Sequence, residues 1–265
     1  MRAFERRGQI EQILRSYGPV SVDDLARRLG VTSSTIRRDL SKLDEEGKVT
    51  RTYGGARGDL APFSEPSLYE RARRSLSAKD AIGSWAAAQV AAGETVILDA
   101  GTTTARVARH LREVSQLTVV TNSLTALLAL ADAENVELIG LGGAFRHISH
   151  GFVGPLTELV LARLSADKLF LGADGLVAGR GICEASPDQT RIKELMIGSS
   201  RQVYVVADAT KLGEAPFHAW APLERDWTLV TDERASEEVL RPFRKRPEVT
   251  VVLAPSTPGA QITGG

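Results

Sequence analysis

Residues Ser21–Leu40 read SVDDLARRLGVTSSTIRRDL, and the organisation of the N-terminal part of the chain follows from them. Ser21 precedes an amphipathic run and has an acidic residue, Asp24, three positions on. A side-chain oxygen there accepts the orphan N–H groups of a first turn, so a helix is predicted over Val22–Leu29. Gly30 stops it, because the left-handed conformation that reverses the chain is open to glycine without a Cβ clash. Thr32 caps a second helix predicted through Asp44, with Ile36, Leu40 and Leu43 on its apolar face. Ala26 is small where two helices joined by so short a turn cross closely. Helix, tight turn and helix make a helix-turn-helix.

On the N-terminal side, Phe4–Ser16 forms an amphipathic helical pattern, with Ile10, Ile13, Leu14 and Tyr17 at helical spacing before Gly18-Pro19 ends it. On the C-terminal side, Gly47 is a helix stop, Val49–Tyr53 alternates, and Gly54-Gly55 supplies a turn, so a short hairpin is predicted. Residues 1–57 are read as a small winged helix-turn-helix domain. They hold 12 Lys and Arg against 8 Asp and Glu, whereas the rest of the chain holds 21 against 25. A basic segment on a neutral-to-acidic body suits a polyanionic partner. The candidate DNA contacts are Thr32, Ser33, Ser34 and Thr35, whose hydroxyls and free N–H groups open the second helix. Arg37 and Arg38 follow with forked donors able to read guanine or clamp phosphate. Lys42 on the same helix, and Arg51 and Tyr53 on the hairpin, complete the set.

Residues 58–76, with Pro62, Ser64, Pro66 and Ser67, read as a linker. From Ser77 the pattern changes. A helix over about 78–92 leads to an apolar run, Thr95–Leu98. Further runs lie at Leu117–Val120, Val136–Leu141, Lys168–Leu171, Val203–Ala207, Thr228–Val230 and Val249–Leu253, with helical segments between most of them. Strands that alternate with helices predict an α/β, Rossmann-like, mostly parallel sheet over residues 77–254. Residues 255–265 read as a flexible tail.

The loops after these strands carry the chemistry. Asp99-Ala100-Gly101-Thr102-Thr103-Thr104 follows the first strand, and its threonine hydroxyls and glycine turn suit an oxyanion, with Asp99 suited to sugar hydroxyls. Asn122 and Ser123, Gly142 and Gly143, and Asp174 stand at three further strand ends. In an open parallel sheet ligands gather beyond the carboxyl ends of the strands, so the four loops predict one pocket.

The runs SVDDLA (21–26), TIRRDL (35–40) and RTYGG (51–55), followed by DAGTTT (99–104), VTNS (120–123), LGG (141–143), VGP (153–155) and LGADG (171–175), resemble the DeoR/GlpR family of bacterial repressors, from about residue 4 to residue 253. The resemblance implies a sensor domain of phosphosugar-isomerase type that binds a phosphorylated sugar, with Lys193 pointing into the pocket. Three positions depart from the family pattern. Tyr53 stands where many members carry histidine, and Gln189 and Thr190 stand where many carry Glu-Ala.

The expected function is a DNA-binding repressor of carbohydrate-metabolism genes, released from its double-stranded operator by a phosphorylated effector. A homo-oligomer, dimer or tetramer, is expected, with no cofactor and no metal. The alternative is an enzyme resembling phosphosugar isomerases. Ribose-5-phosphate isomerases carry Asp-Gly-Ala-Asp-Glu, but here Leu171 and Gly175 stand at the outer carboxylate positions and Asp174 alone remains. Proton shuttling needs a positioned base, so a non-enzyme is expected. His147 and His150 form an H-x-x-H in a loop without nearby metal ligands, and Cys183 reads as a free thiol. One cysteine and no long apolar run fit a cytoplasmic protein without a membrane span.

Overall fold

The computed structural model describes residues 3–17, 20–45, 49–52, 55–58 and 65–255. The chain divides into two compact units, Met1–Ser64 and Glu65–Gly265.

In the first unit, α1 (Ala3–Tyr17), α2 (Val22–Leu29) and α3 (Ser33–Glu45) pack around Ile10, Leu14, Leu25, Ile36, Leu40 and Leu43. Each such fully buried aliphatic side chain contributes about 1.5–3 kcal/mol over an exposed one. The local signals act as their chemistry requires. The Ser21 hydroxyl accepts the N–H of Asp24 at 3.1 Å. Gly30 ends α2 at φ +64°, its N–H returning to the carbonyl of Ala26. Thr32 accepts the N–H of Thr35 at 3.3 Å. The hairpin is β2 (Val49–Thr52) paired antiparallel with β3 (Gly55–Gly58). A short strand β1 (Val20–Ser21) joins the far side of β3, so the wing sheet has the order β1-β3-β2. That third strand has no sequence signal, since two residues carry no periodicity.

The second unit begins earlier than the stretch assigned to a linker suggests. Glu65 is buried, and α4 (Leu68–Arg73) follows with a capping box between Ser67 and Glu70. Pro and Ser in the sequence here mark the entry to a helix rather than open chain. The unit continues through α5 (Leu76–Ala87), β4 (Thr95–Leu98), α6 (Thr104–His110), β5 (Leu117–Thr121), α7 (Leu124–Leu130) and β6 (Val136–Gly140). Then come β7 (Ala144–Arg146), β8 (Gly151–Val153), α8 (Pro155–Leu161), β9 (Ala166–Leu171), β10 (Gly175–Val177), β11 (Gly181–Glu184) and α9 (Pro187–Gly198). The last elements are β12 (Ser200–Val206), β13 (Ala219–Ala221), β14 (Trp227–Asp232), α10 (Glu237–Arg244) and β15 (Val249–Ala254).

All seven apolar runs become one parallel sheet of order β15-β14-β12-β9-β4-β5-β6. Its strands alternate between two cores, as pleated strands do. Val96, Leu98, Val119, Phe170, Val206 and Val230 face the side covered by Ile82 of α5, Val107 of α6 and Leu130 of α7. Ile97, Val120, Leu169, Leu171, Val205 and Leu229 face Leu161 of α8, Met196 of α9 and Phe243 of α10. The result is a three-layer α/β/α unit. Two smaller antiparallel sheets, β7-β8 and β10-β11-β13, stand beside it. Among the described residues, no helix is long and apolar enough to cross a membrane.

Gly83 sets how closely α5 and α6 approach. A Cβ there would sit 2.7 Å from the Cβ and 2.8 Å from the carbonyl carbon of Arg106. The obstacle is backbone, which cannot swing aside. Gly83→Ala is therefore expected to cost about 1–3 kcal/mol. Thermal unfolding should show a Tm several degrees lower, and an unchanged Tm would mean that the helices separate freely.

Candidate functional site

On the first unit, the run Thr35–Leu40 sorts itself by helical geometry. Ile36 and Leu40 are buried in the core, and Asp39 is 4% exposed. Asp39 accepts from Arg6 Nε at 2.5 Å, an ion pair that ties α3 to α1. Arg37 and Arg38 are exposed. Thr32 and Ser34 are also exposed, and the Thr32 hydroxyl lies 2.9 Å from those of both Ser34 and Thr35. Ser33 donates to Asp23 at 2.8 Å, which fixes the start of α3 against α2. Lys42 is exposed and lies 3.2 Å from Glu45, a pairing at the surface that a phosphate could outcompete. Arg51 lies on β2, its side chain outside the described residues, and Tyr53 falls outside them altogether.

On the second unit, the strand order creates a crevice. From β4 the sheet grows outward through β5 and β6, and from β9 it grows the other way through β12, β14 and β15. The connections beyond the adjacent ends of β4 and β9 therefore diverge and leave a crevice between them, the usual ligand position in an open α/β sheet. The pocket at that point is lined by Gly101, Thr102 and Thr103 after β4, Gly172–Asp174 after β9, and Glu184, Gln189 and Lys193. Asp208, Thr210 and Lys211 after β12, Arg71 and Arg74 from the start of the unit, and Lys79 of α5 complete it.

The floor is a buried charge cluster. Lys193 is 2% exposed and its ammonium contacts Asp99, the carbonyl of Gly172 at 2.9 Å and Glu184 at 3.1 Å. Asp99 also accepts the N–H of Gly172 at 3.1 Å, stitching the ends of β4 and β9 together. Burial pushes the Lys193 ammonium down, but Asp99 and Glu184 outweigh burial and hold it above its usual range. Burial raises the Glu184 carboxyl above the usual range against the pull of Lys193. On the wall, burial brings the Lys79 ammonium down to about 8, opposed by Asp208 and assisted by Lys211 and Arg71.

Above this floor stand groups with nothing to bond. Asp174 accepts from Arg71 at 2.9 Å through one carboxylate oxygen, while its other oxygen is buried without a partner. Arg71 Nε and the Gln189 side-chain oxygen are likewise buried and unpartnered. Buried polar atoms are ordinarily satisfied, so three unpaired ones around a single crevice mark where a polar ligand would sit.

Of the expected effector residues, the structure brings Gly101, Thr102, Thr103, Asp174 and Lys193 to this pocket, with Asp99 holding Lys193 from beneath. The others are employed elsewhere and do not line it. Thr104 donates to the carbonyl of Gly101 at 3.0 Å. Ser123 caps α7 through the N–H of Ala126 at 3.2 Å, and the Asn122 amide donates to the carbonyl of Phe152 at 3.1 Å. The Gly142 carbonyl accepts from Thr157, and Gly143 is pressed against the carbonyl of Val153 at φ +138°. Arg71, Arg74, Lys79, Glu184 and Lys211 escaped sequence reading. Charged residues inside a predicted linker or a helix give no sign of which cavity they will face. The one usable signal was Lys79, a lysine among the apolar positions of an otherwise alanine-rich helix.

The remaining candidates are structural. His147 and His150 lie in the β7–β8 loop against the ring of Phe145, and no group among the described residues is placed to hold a metal ion. Cys183 is buried between the backbone N–H and carbonyl of Phe217, and burial pushes its thiol up to about 11. Trp227 packs edge-on against Phe243 in the core, and Arg180 stacks on Trp220 at 3.8 Å.

Residues 6–59 match the DeoR-like helix-turn-helix domain, and residues 74–233 match the DeoR C-terminal sensor domain. The chain is 35% identical to the HTH-type transcriptional regulator GlpR of Haloferax volcanii, over 86% of this chain and 89% of that one. It is 33% identical to the transcriptional repressor AccR of Agrobacterium fabrum, over 86% and 89%. It is 31% identical to the lactose phosphotransferase system repressor of Streptococcus mutans, over 88% and 93%. The solved ribose 5-phosphate isomerase of Methanocaldococcus jannaschii overlaps 50% of this chain and 52% of that one with a TM-score of 0.37 at 17% identity, too slight to argue from.

Proposed function

The chain belongs to the DeoR family of helix-turn-helix transcriptional regulators, and from that premise we propose that it represses carbohydrate-metabolism genes until a phosphorylated sugar releases it from its operator. It is a DNA-binding regulator and not an enzyme. The observation that carries the sensing half of the proposal is the crevice at the β4/β9 switch point, where Asp174, Gln189 and Arg71 present unpaired polar atoms. Hydroxyls suit Asp174 and Gln189. A phosphate suits the cationic rim of Arg74, Lys79 and Lys211 together with Thr102 and Thr103. On the DNA side, Thr32–Thr35, Arg37, Arg38 and Lys42 of the exposed α3 face contact the major groove, with Arg51 and Tyr53 of the wing beside it. Two heads of a homo-oligomer, dimer or tetramer, then meet half-sites about 34 Å apart or a multiple of that.

Operator affinity measured with and without a panel of sugar phosphates tests the proposal. Thr103→Val removes a hydroxyl donor with little change in volume, and Asp174→Asn removes the charge that accepts ligand hydroxyls. Each variant should hold its operator at effector concentrations that release the parent, since effector and DNA affinities are reciprocally linked. The lost hydrogen bond corresponds to roughly a three- to tenfold higher effector concentration for Thr103→Val. Unaltered release in both variants would remove the pocket from the mechanism, and turnover of the effector would contradict a purely sensing role.

Lys79 gives the response a pH dependence with a defined sign. A bound phosphate favours the charged ammonium and lifts its pKa above the free value of about 8. Affinity is then constant from about pH 7, above the phosphate's second pKa, up to pH 8. It falls as pH rises past 8, by up to about tenfold per pH unit until the pKa of the complex is reached. The phosphate itself is fully ionised over that range, its second pKa lying at about 6. Calorimetric titration at pH 7, 8 and 9 should show weakening and proton uptake in the upper half of the range. A flat profile would place the phosphate away from Lys79.

A further inference from the structure

Residues 65–74 are chained to the sensor unit at several points. Glu65 pairs with Arg146 through both oxygens and lies 3.4 Å from Arg71. The N–H of Leu68 donates to the carbonyl of Ile148 at 3.0 Å, and the Leu68 side chain is buried. Arg71 donates to Asp174 at 2.9 Å and to the carbonyl of Ile148 at 3.3 Å, and Lys79 donates to the carbonyl of Arg71 at 2.6 Å. The segment is a wall of the crevice, and Glu65 directly follows the last residue of the first unit.

The same wall is incomplete. Arg71 Nε and one oxygen of Asp174 are both buried with no partner, although the two residues are already joined through their other atoms and their side chains are only 12% and 6% exposed. No group among the described residues bonds to either atom. A group able to donate to the carboxylate and accept from the guanidinium at once would satisfy both, and a ligand hydroxyl does so. Gln189 faces the same space with an unpaired amide oxygen, which a neighbouring hydroxyl also satisfies.

We propose that Arg71 is an effector-reading residue. A ligand hydroxyl bridges it to Asp174, and segment 65–74, thereby tightened onto the sensor unit, carries occupancy to the point where the DNA-binding unit is attached. The inference rests on the sensing role given above and adds to it the reading residue and the transmitting segment. A ligand that adds bonds across an existing ion pair favours the docked segment over any undocked state by its differential affinity for the two. An oxyanion with no hydroxyl donor leaves the Asp174 oxygen unpaired and does not tighten the segment.

The test is hydrogen exchange on the full chain with glycerol 3-phosphate, ribose 5-phosphate, fructose 6-phosphate, tagatose 6-phosphate, glucosamine 6-phosphate and, as the anion without a donor, sulfate. A probe that raises the Tm should slow amide exchange across 65–76 by about tenfold or more, and sulfate should not. Arg71→Lys keeps the charge and loses the fork, so it should still bind but lose both this protection and the preference for the sugar phosphate over sulfate. Protection of residues 100–104 with no change, or faster exchange, across 65–76 overturns this inference and leaves the sensing role standing. A variant that discriminates and protects as the parent does overturns it as well. If no sugar phosphate raises the Tm or slows exchange anywhere, both fail together. The measurement on the parent needs no variant, so it decides the matter even if Arg71→Lys folds poorly.

Discussion

Lys193→Ala is expected to destabilise the second unit by about 3–5 kcal/mol, the cost of breaking a buried ion pair by removing one partner. The lysine lies between two carboxylates that are almost fully enclosed, Asp99 at 4% and Glu184 at 3% exposure. Without it, two negative charges share one low-dielectric space, and one of them has to take up a proton. Glu184 is the one placed to do so, since burial already raises its carboxyl even with the lysine present. The sign of the pH dependence follows. A carboxyl whose folded pKa is raised binds more protons folded than unfolded, so the variant regains stability as pH falls through that raised pKa and loses it as pH rises. Denaturant unfolding of parent and variant between pH 5 and pH 8 should show the gap widening upward. Adding Glu184→Gln should recover part of the loss at pH 8. A variant as stable as the parent at pH 8 would mean that water reaches the cluster. The same geometry revises the role that family resemblance suggests for Lys193. Its ammonium is spent on Asp99, Glu184 and Gly172, so a Lys193 variant tests folding before it tests ligand binding, whereas Thr103 and Asp174 probe the pocket directly.

Replacing Arg37 or Arg38 by alanine should weaken operator binding by roughly 1–3 kcal/mol apiece if the guanidinium reads a base edge as a bidentate pair. Both side chains are exposed beside a run whose other members, Ile36, Asp39 and Leu40, are buried, so the substitutions leave the core untouched. Alanine is also a better helix former than arginine, so α3 survives. Filter binding or fluorescence anisotropy across salt concentrations separates the two kinds of contact. A base contact shows as a loss confined to the operator. A phosphate contact shows as an equal loss on unrelated duplexes, with a salt dependence shallower by about one counterion. If both variants bind as the parent does over the whole salt range, α3 is not the reading helix.

The contrast between these two arginines and Lys193 shows how far each kind of reasoning reaches. Helical spacing alone turns Arg37 and Arg38 outward, because Ile36, Leu40 and Leu43 fix which side of α3 is apolar and a rigid helix leaves the rest no choice. Both ends of α2 and the start of α3 are equally local, since Ser21, Gly30 and Thr32 act on backbone groups within four residues of themselves. So are the seven strands, each written as a short apolar run. Gly101, Thr102, Thr103 and Asp174 were placed at strand ends by the same local logic, and they do line the crevice.

Which of those strand ends converge was decided only by the tertiary structure. The sheet order puts β4 beside β9, although 67 residues, carrying the whole of α6 to α8, lie between Leu98 and Ala166. That adjacency makes the loops after these two strands neighbours and leaves the loops holding Asn122, Ser123, Gly142 and Gly143 to cap helices and pack turns instead. It also draws residues 65–74 over the crevice, through a pair as distant in sequence as Arg71 and Asp174. Hydrophobic period and capping are properties of a few consecutive residues, so they can be read along the chain. A charge pair across a hundred residues depends on the path of everything between, and no local pattern records it.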